Sequence, residues 1–305
     1  MKATQGTTYR SLQAHLNRMS LEMHDLRMAS ATGKKLNRPS DDPSAVRPVL
    51  DGRNQIRAAD RYLKMMGTAL DRMQALDGHL GHVENVLVRA KEVAIGAVNG
   101  GIDTQGMGIL ADQIRQMKEE LLDTANARID GKSLFAGFQE EARPFVTNPA
   151  YDPNDPASSS VIYQGDANAT RLEIAAGEFV QVNLTGEELF MGNPGGINMF
   201  DVLTRLETAI RNEDLAGIDT ELGNIDQSAD QGRKLRGLIG NNAQRVEAAQ
   251  QHMEGTKTDL KQIVSRYEDA DMIETFSRLL QQEQAFEGAL SVTTRVARLS
   301  ILDYM

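Results

Sequence analysis

Apolar residues recur at alternating steps of three and four at both ends of the chain. Tyr9, Leu12, Leu16, Met19, Met23 and Leu26 do so near the start. Near the finish, Tyr267, Ile273, Phe276, Leu279, Phe286, Leu290, Val296 and Leu299 share one long helical face, with Glu283 in one of its slots. Such steps place side chains in one stripe, the seam that coiled coils use. Neither end carries a second apolar segment to cover its stripe, so the pattern predicts that the two ends pair with each other or with copies of the same chain. An isolated helix of about 20 residues is marginal in water, whereas burying each Leu or Met is worth roughly 1.5–3 kcal/mol. The terminal segments are therefore expected to be weakly ordered in a free monomer and helical in an assembly.

Between the ends the period changes twice. Gly33 can close a helix in the left-handed conformation, and Pro39 and Pro43 forbid helix across the segment that follows. Ser40 or Asp42 can cap a new helix with Pro43 at its first position. This predicts a helix-break-helix joint. From Ser44 to Val98 the three-four spacing runs almost unbroken, interrupted at Asp60 and Asp77, and predicts a helix about 80 Å long. Asn99-Gly100-Gly101 ends it, and Met107, Leu110, Ile114, Met117 and Leu121 predict a second helix folded back as an antiparallel hairpin. Between Phe145 and Leu189 the helical period is lost. Val161-Ile162-Tyr163, Leu172-Glu173-Ile174 and Phe179 to Leu184 read as short strands, with Ala176-Gly177 as a hairpin turn. This insert of roughly 45 residues is small for independent stability and is expected to lean on the helices. Helix returns from about Ile197 to near Gly217. A final run from about Leu222 continues to the C-terminus, interrupted by Gly232, Gly237, Gly240 and Gly255.

The resulting expectation is a mainly α protein: a long antiparallel helical bundle, coiled-coil pairing of the N- and C-terminal helices, and a small inserted β domain. Residues 1–40 with 265–305 form the terminal coiled coil, 41–142 with 192–264 a helical rod, and 143–191 the outer β insert. Composition agrees. Aromatic residues are 5% of the 305 and Trp is absent, which favours long helices packed by aliphatic side chains. A net charge of -10 argues against nucleic-acid binding. No apolar run nears the roughly 20 residues needed to span a bilayer, and the first ten residues hold no apolar signal core. The lack of Cys excludes disulfides and thiolate metal sites. It suits a cytosolic protein, and equally one exported as an unfolded thread.

Candidate chemistry dissolves on inspection. Gly33-Lys34 resembles a phosphate loop, but Met28 and Lys35 stand where Gly and Ser or Thr belong. Asp41-Asp42 reads as a helix cap rather than an acid-base pair. His79 and His82 lie three apart on a helix with only Glu84 near in sequence, which marks a solvated or core-edge pair rather than a metal site. Asp152 to Pro156 resembles a calcium loop in composition alone. Asn168-Ala-Thr170 and Asn183-Leu-Thr185 match a glycan acceptor triplet that is common by chance. No nucleophile, base and orienting group can be assembled, so neither an enzyme nor a cofactor is expected.

Three segments carry a resemblance. Ala31-Thr-Gly-Lys-Lys-Leu-Asn-Arg-Pro-Ser-Asp-Asp-Pro43 is similar to the N-terminal signature of the flagellin superfamily. Ser265-Arg-Tyr-Glu-Asp-Ala-Asp271 with its following heptads is similar to the C-terminal signature, and Asn126-Ala-Arg-Ile-Asp-Gly-Lys-Ser-Leu-Phe-Ala-Gly-Phe138 resembles the segment that closes the first helical hairpin. The Pro-Ser-Asp-Asp-Pro joint, the Leu-Phe-Ala-Gly-Phe segment and Tyr163-Gln-Gly-Asp166 look more like the superfamily's junction branch, between hook and filament, than like its filament branch. The resemblance implies a non-enzymatic part of the extracellular bacterial flagellum, secreted unfolded by type III export. Its partners would be copies of itself, a neighbouring hook-associated protein, flagellin and a cytosolic flagellar export chaperone, with no membrane and no nucleic acid. Tyr9, Leu12, Leu16, Met19, Met23, Leu26, Ile273, Phe276, Leu279, Phe286 and Leu290 become candidate subunit-interface residues, and Gly33, Pro39, Ser40, Asp42 and Pro43 the helix joint. A short flagellin is the alternative within the family, and a cytosolic helical scaffold the alternative outside it.

Overall fold

Helix α1 (Lys2–Thr32) ends where Gly33 turns to φ +70°, a conformation that costs a residue without Cβ little. Helix α2 (Pro43–Asn99) begins where Asp42 Oδ1 accepts from the Ser44 and Ala45 amides at 3.0 and 3.3 Å, with Pro43 in its first turn. Asp42, not Ser40, is therefore the cap. Its carboxyl is held below the usual value first by the Ser44 hydroxyl. Asp41 accepts from the amides of Asn37 and Arg38 instead and folds the connecting loop onto itself. The computed structural model describes residues 2–152, 158–175 and 177–302.

Helix α3 (Thr104–Ala125) follows with Asp103 as its N-cap. The chain then makes six short strands, β1 (Arg128–Ile129), β2 (Lys132–Ser133), β3 (Phe145–Thr147), β4 (Val161–Tyr163), β5 (Arg171–Ala175) and β6 (Glu178–Gln181). They pair as three antiparallel hairpins, β1 with β2, β3 with β4 and β5 with β6. The expected strands at 161–163, 172–174 and 179–184 are present, the last ending at Gln181. The β1–β2 turn is Asp130-Gly131 with both residues at positive φ, the Asp-Gly signal for a tight hairpin that the helical reading passed over. Helices α4 (Gly186–Leu189), α5 (Met199–Arg211), α6 (Leu215–Glu268) and α7 (Met272–Leu302) complete the chain.

Two expected boundaries are corrected. The helix after Ile197 stops at Arg211, not near Gly217, because Asn212 caps it and Glu213 takes φ +56°. The C-terminal run is not interrupted at Gly232, Gly237, Gly240 or Gly255, all of which lie inside α6. It breaks instead at Asp269, Ala270 and Asp271, where the backbone leaves the helix to pair with the segment after α1.

Contacts divide the chain into two units, 1–60 with 254–305, and 61–253. The second holds the large core. Met66, Met73, Leu76, Leu87, Ile114, Leu121, Leu203 and Leu206 are almost wholly buried, and α3 and α5 pack side by side. Phe135, Phe145, Phe190 and Phe200 form one cluster with ring centroids 5.2–5.7 Å apart, and Tyr163 sits 5.0 Å from Phe145. Leu172, Ile174, Val180, Val182 and Leu184 of the β region belong to the same core as the helices. The insert thus buries its apolar face on helical neighbours, as its small size requires.

Asp60 and Asp77, the interruptions of the α2 stripe, are paired with α6. Lys257 reaches Asp60 at 2.5 Å, and Arg236 grips Asp77 through two bonds of 2.7 and 3.0 Å, which lowers that carboxyl's pKa. A carboxylate directed at a neighbouring helix is compatible with an otherwise apolar stripe when the neighbour supplies a cation.

Candidate assembly interface

In the first unit α1 and α7 pack along each other. The α1 side of the seam is Leu12, Leu16, Met19, Met23 and Leu26, as its spacing predicts. The side chain of Tyr9, and those of Val296 and Leu299, lie outside the described residues. The α7 side is Met272, Thr275, Leu279, Gln282, Phe286, Ala289 and Thr293, an unbroken alternation of three and four. Asp271 sets this frame by accepting from the amides of Ile273 and Glu274 at 2.9 and 3.1 Å, which starts α7 at Met272. Polar ties fix the register: Arg27 to Glu283 at 2.9 Å, and Gln282 donating to Glu22 at 2.8 Å.

Leu279 and Phe286 therefore face α1, but Ile273, Phe276 and Leu290 do not. Each of the three follows a seam position by one residue, about 100° further round the helix. Together with Leu280 they form a second, outward ridge, with Ile273 85%, Leu280 61%, Phe276 49% and Leu290 46% exposed. Two apolar stripes run side by side on α7, and sequence alone does not say which one the chain itself covers and which one is left for another copy. Even the inner seam is thinly covered. Of its α1 members only Met23 is fully buried, because a two-helix pair has no third layer.

The joint lies beside this pair. Gly33, Pro39 and Asp42 stand in the break and Pro43 opens α2, as described, while Ser40 is an exposed loop residue. The break after α1 and the break before α7 are hydrogen-bonded to each other. Ala270 N donates to Gly33 O at 2.9 Å, Lys35 N to Glu268 O at 2.8 Å, and Lys34 bridges Asp269 in antiparallel fashion. Glu268 is 3% exposed. Its carboxylate meets Lys34 and, at 2.6 Å, Arg53. Burial opposes its ionisation, but Arg53 and Lys34 outweigh that and hold its pKa below the ordinary value.

Among the described residues of the second unit, the candidate groups each engage a different partner. His82 Nε2 lies 3.0 Å from Glu120, and His79 packs edge-on to Phe135, with burial and then the neighbouring His82 lowering its pKa. Glu84 pairs with Arg233 and Arg236 rather than with either His. Among the described residues no three His, Asp or Glu side chains are placed to share a metal ion, and no helix is long and apolar enough to cross a membrane. The polar residues that sequence reading missed are clamps. Asn126 exchanges two bonds of 3.0 Å with the Phe145 backbone. Asn183, in one of the glycan-like triplets, is 1% exposed and ties Thr170 N and Asn168 O. Gln231 holds the 189–197 turn to α6, and Asp201 holds Ser160 to α5. The calcium-like segment falls largely outside the described residues.

A chain whose two ends form one shared helical pair with an exposed apolar ridge has the form of a helical packing module. Comparison with known proteins identifies which. The bacterial flagellin N-terminal helical region matches residues 5–140, and the bacterial flagellin C-terminal helical region matches 222–305. The flagellar hook-associated protein 3 of Escherichia coli strain K12 is 22% identical over 293 residues, 89% of each chain, and the flagellin of Bacillus subtilis strain 168 is 23% identical over 254 residues, 81% of this chain and 80% of that one. The crystal structure of Xanthomonas campestris FlgL superposes with a TM-score of 0.61 at 14% identity, covering 70% of this chain and 99% of that one. The chain belongs to the flagellin superfamily and is a structural component of the flagellum.

Proposed function

We propose that the protein is a hook-associated subunit that forms the layer joining hook to filament, assembling through its terminal helices. The observation that carries this reading is the outward ridge of α7, Ile273, Phe276, Leu280 and Leu290, on a helix pair too thin to cover its own apolar positions. Copies of the chain stacked along that ridge would complete the missing third layer, and many such small burials add up to a joint that resists bending and torque. In this reading α1 and α7 line the inner tube and the β region faces outward. The chain passes through the export channel unfolded, after a cytosolic chaperone has held its ends, and meets a hook-associated protein on one side and flagellin on the other. Its role is mechanical and no reaction is assigned to it.

The near-full-length match to a hook-associated protein supports the junction role, and the comparable match to a flagellin keeps a filament subunit as the second reading. Deleting the gene and imaging the cells tests both. The junction role predicts hooks without filaments and flagellin shed into the medium; intact hooks and filaments would overturn it. Purified protein that grows indefinitely into long filaments would favour the second reading.

A further inference from the structure

We propose that the two chain breaks act as one paired hinge, pinned by Glu268, so that α1 and α7 change their angle to the adjoining ends of α2 and α6 together and never separately. A continuous helix bends only gently, and sharp bends fall where its hydrogen-bond ladder is interrupted. Among the described residues of the first unit the chain leaves the helix at two places, 33–42 and 269–271, which lie side by side, while Pro48 inside α2 removes one ladder bond without ending the helix.

The two breaks are not independent. Ala270 N to Gly33 O, Lys35 N and Leu36 N to Glu268 O, and Lys35 Nζ to Arg266 O at 2.6 Å lace them into a two-stranded patch. A swing at one break drags the other. Just beyond, α2 and α6 are in close contact: a Cβ added to Gly52 would lie 2.5 Å from Val264 Cγ2, and Ala45, Val49 and Ala59 are buried. The stems below the hinge are therefore stiff.

Glu268 joins three segments with one carboxylate. It belongs to the last turn of α6, Lys34 to the segment after α1, and Arg53 to α2. A buried charge shared by two cations holds its partners in one arrangement, and removing the charge leaves both cations without it. The hinge is thereby fixed at one angle while the carboxylate is present, and free when it is lost. This gives a terminal pair that meets its neighbours as a single oriented body.

The absence of native Cys makes the test direct. Spin labels are placed pairwise at the exposed positions His24→Cys on α1, Gln281→Cys on α7 and Gln55→Cys on α2 in the full chain, and distance distributions are measured by electron paramagnetic resonance. In the parent chain all three pairs should give narrow distributions. Glu268→Gln should widen the 24–55 and 281–55 distributions together, by about twofold or more, and leave 24–281 unchanged. The charge-swapped chain carrying E268R, K34E and R53E should restore the parent widths. Unchanged widths in E268Q, widening of only one of the two distributions to α2, widening of 24–281, or failure of the charge swap to restore them would each overturn the proposal.

Discussion

Single polar residues decide how the β region is held. Asn183, itself buried, accepts from the Thr170 amide and donates to the Asn168 carbonyl at once. Truncating it strands both, and Asn183→Ala should destabilise the fold by about 1–3 kcal/mol, read as a lower urea midpoint. Phe200 touches two other rings of the aromatic cluster and is wholly buried. Phe200→Ala should lose about 3–5 kcal/mol, and an unchanged melting temperature would show that the cluster does not anchor the insert. Glu140 behaves like Glu268: burial disfavours its charge, but Lys132 and Arg72 together prevail and lower its pKa. Both carboxylates have folded-state values below the ordinary 4.5. Their contribution to stability is fully present above that value and lost as pH falls through the lowered one. Urea unfolding titrated downward past 4.5 should therefore weaken, and replacing both by Gln should remove part of that slope; identical slopes in the two chains would contradict the coupling.

At the scale of elements the ridge on α7 separates folding from assembly. Phe276→Asp changes a half-exposed side chain and should shift monomer stability by no more than about 0.5 kcal/mol, yet abolish incorporation into flagella. Leu16→Asp places a charge in the α1–α7 seam and should loosen the pair in the monomer as well. Circular dichroism and the protein content of sheared flagella distinguish the two, and wild-type motility in Phe276→Asp would refute the ridge as an interface. The elements themselves were legible to different degrees. α2 was plain from Ser44 to Val98 because a long amphipathic helix repeats its signal at every turn. The break at 269–271 was not, because no Gly or Pro marks it; it exists only because the backbone there pairs with 33–36, a partner more than 200 residues away. The glycines of α6 misled for the converse reason, since each weakens a helix by only about 1 kcal/mol relative to Ala and packing overrides that. The clamps Asn126, Asn183 and Gln231 left no local signal, because each acts on backbone distant in sequence. The ridge residues Ile273, Phe276 and Leu290 were visible as interface candidates, but which of two stripes α7 turns to its own α1 depends on where Asp271 starts the helix.

Over the whole molecule the two units differ in how completely they are closed. In 61–253 the helices and hairpins enclose a core whose side chains are almost wholly buried, whereas in 1–60 with 254–305 most apolar seam positions stay partly in water. Local stability follows the density of such burial, so in the proposed assembly the terminal helices open readily in the monomer and gain protection once neighbouring copies cover them. Amide hydrogen exchange of the dilute monomer, compared with protein in assembled flagella, tests this most directly. Residues 5–30 should exchange far faster than 66–97 in the monomer and become strongly protected on assembly; protection of 5–30 equal to that of 66–97 in the dilute monomer would contradict it.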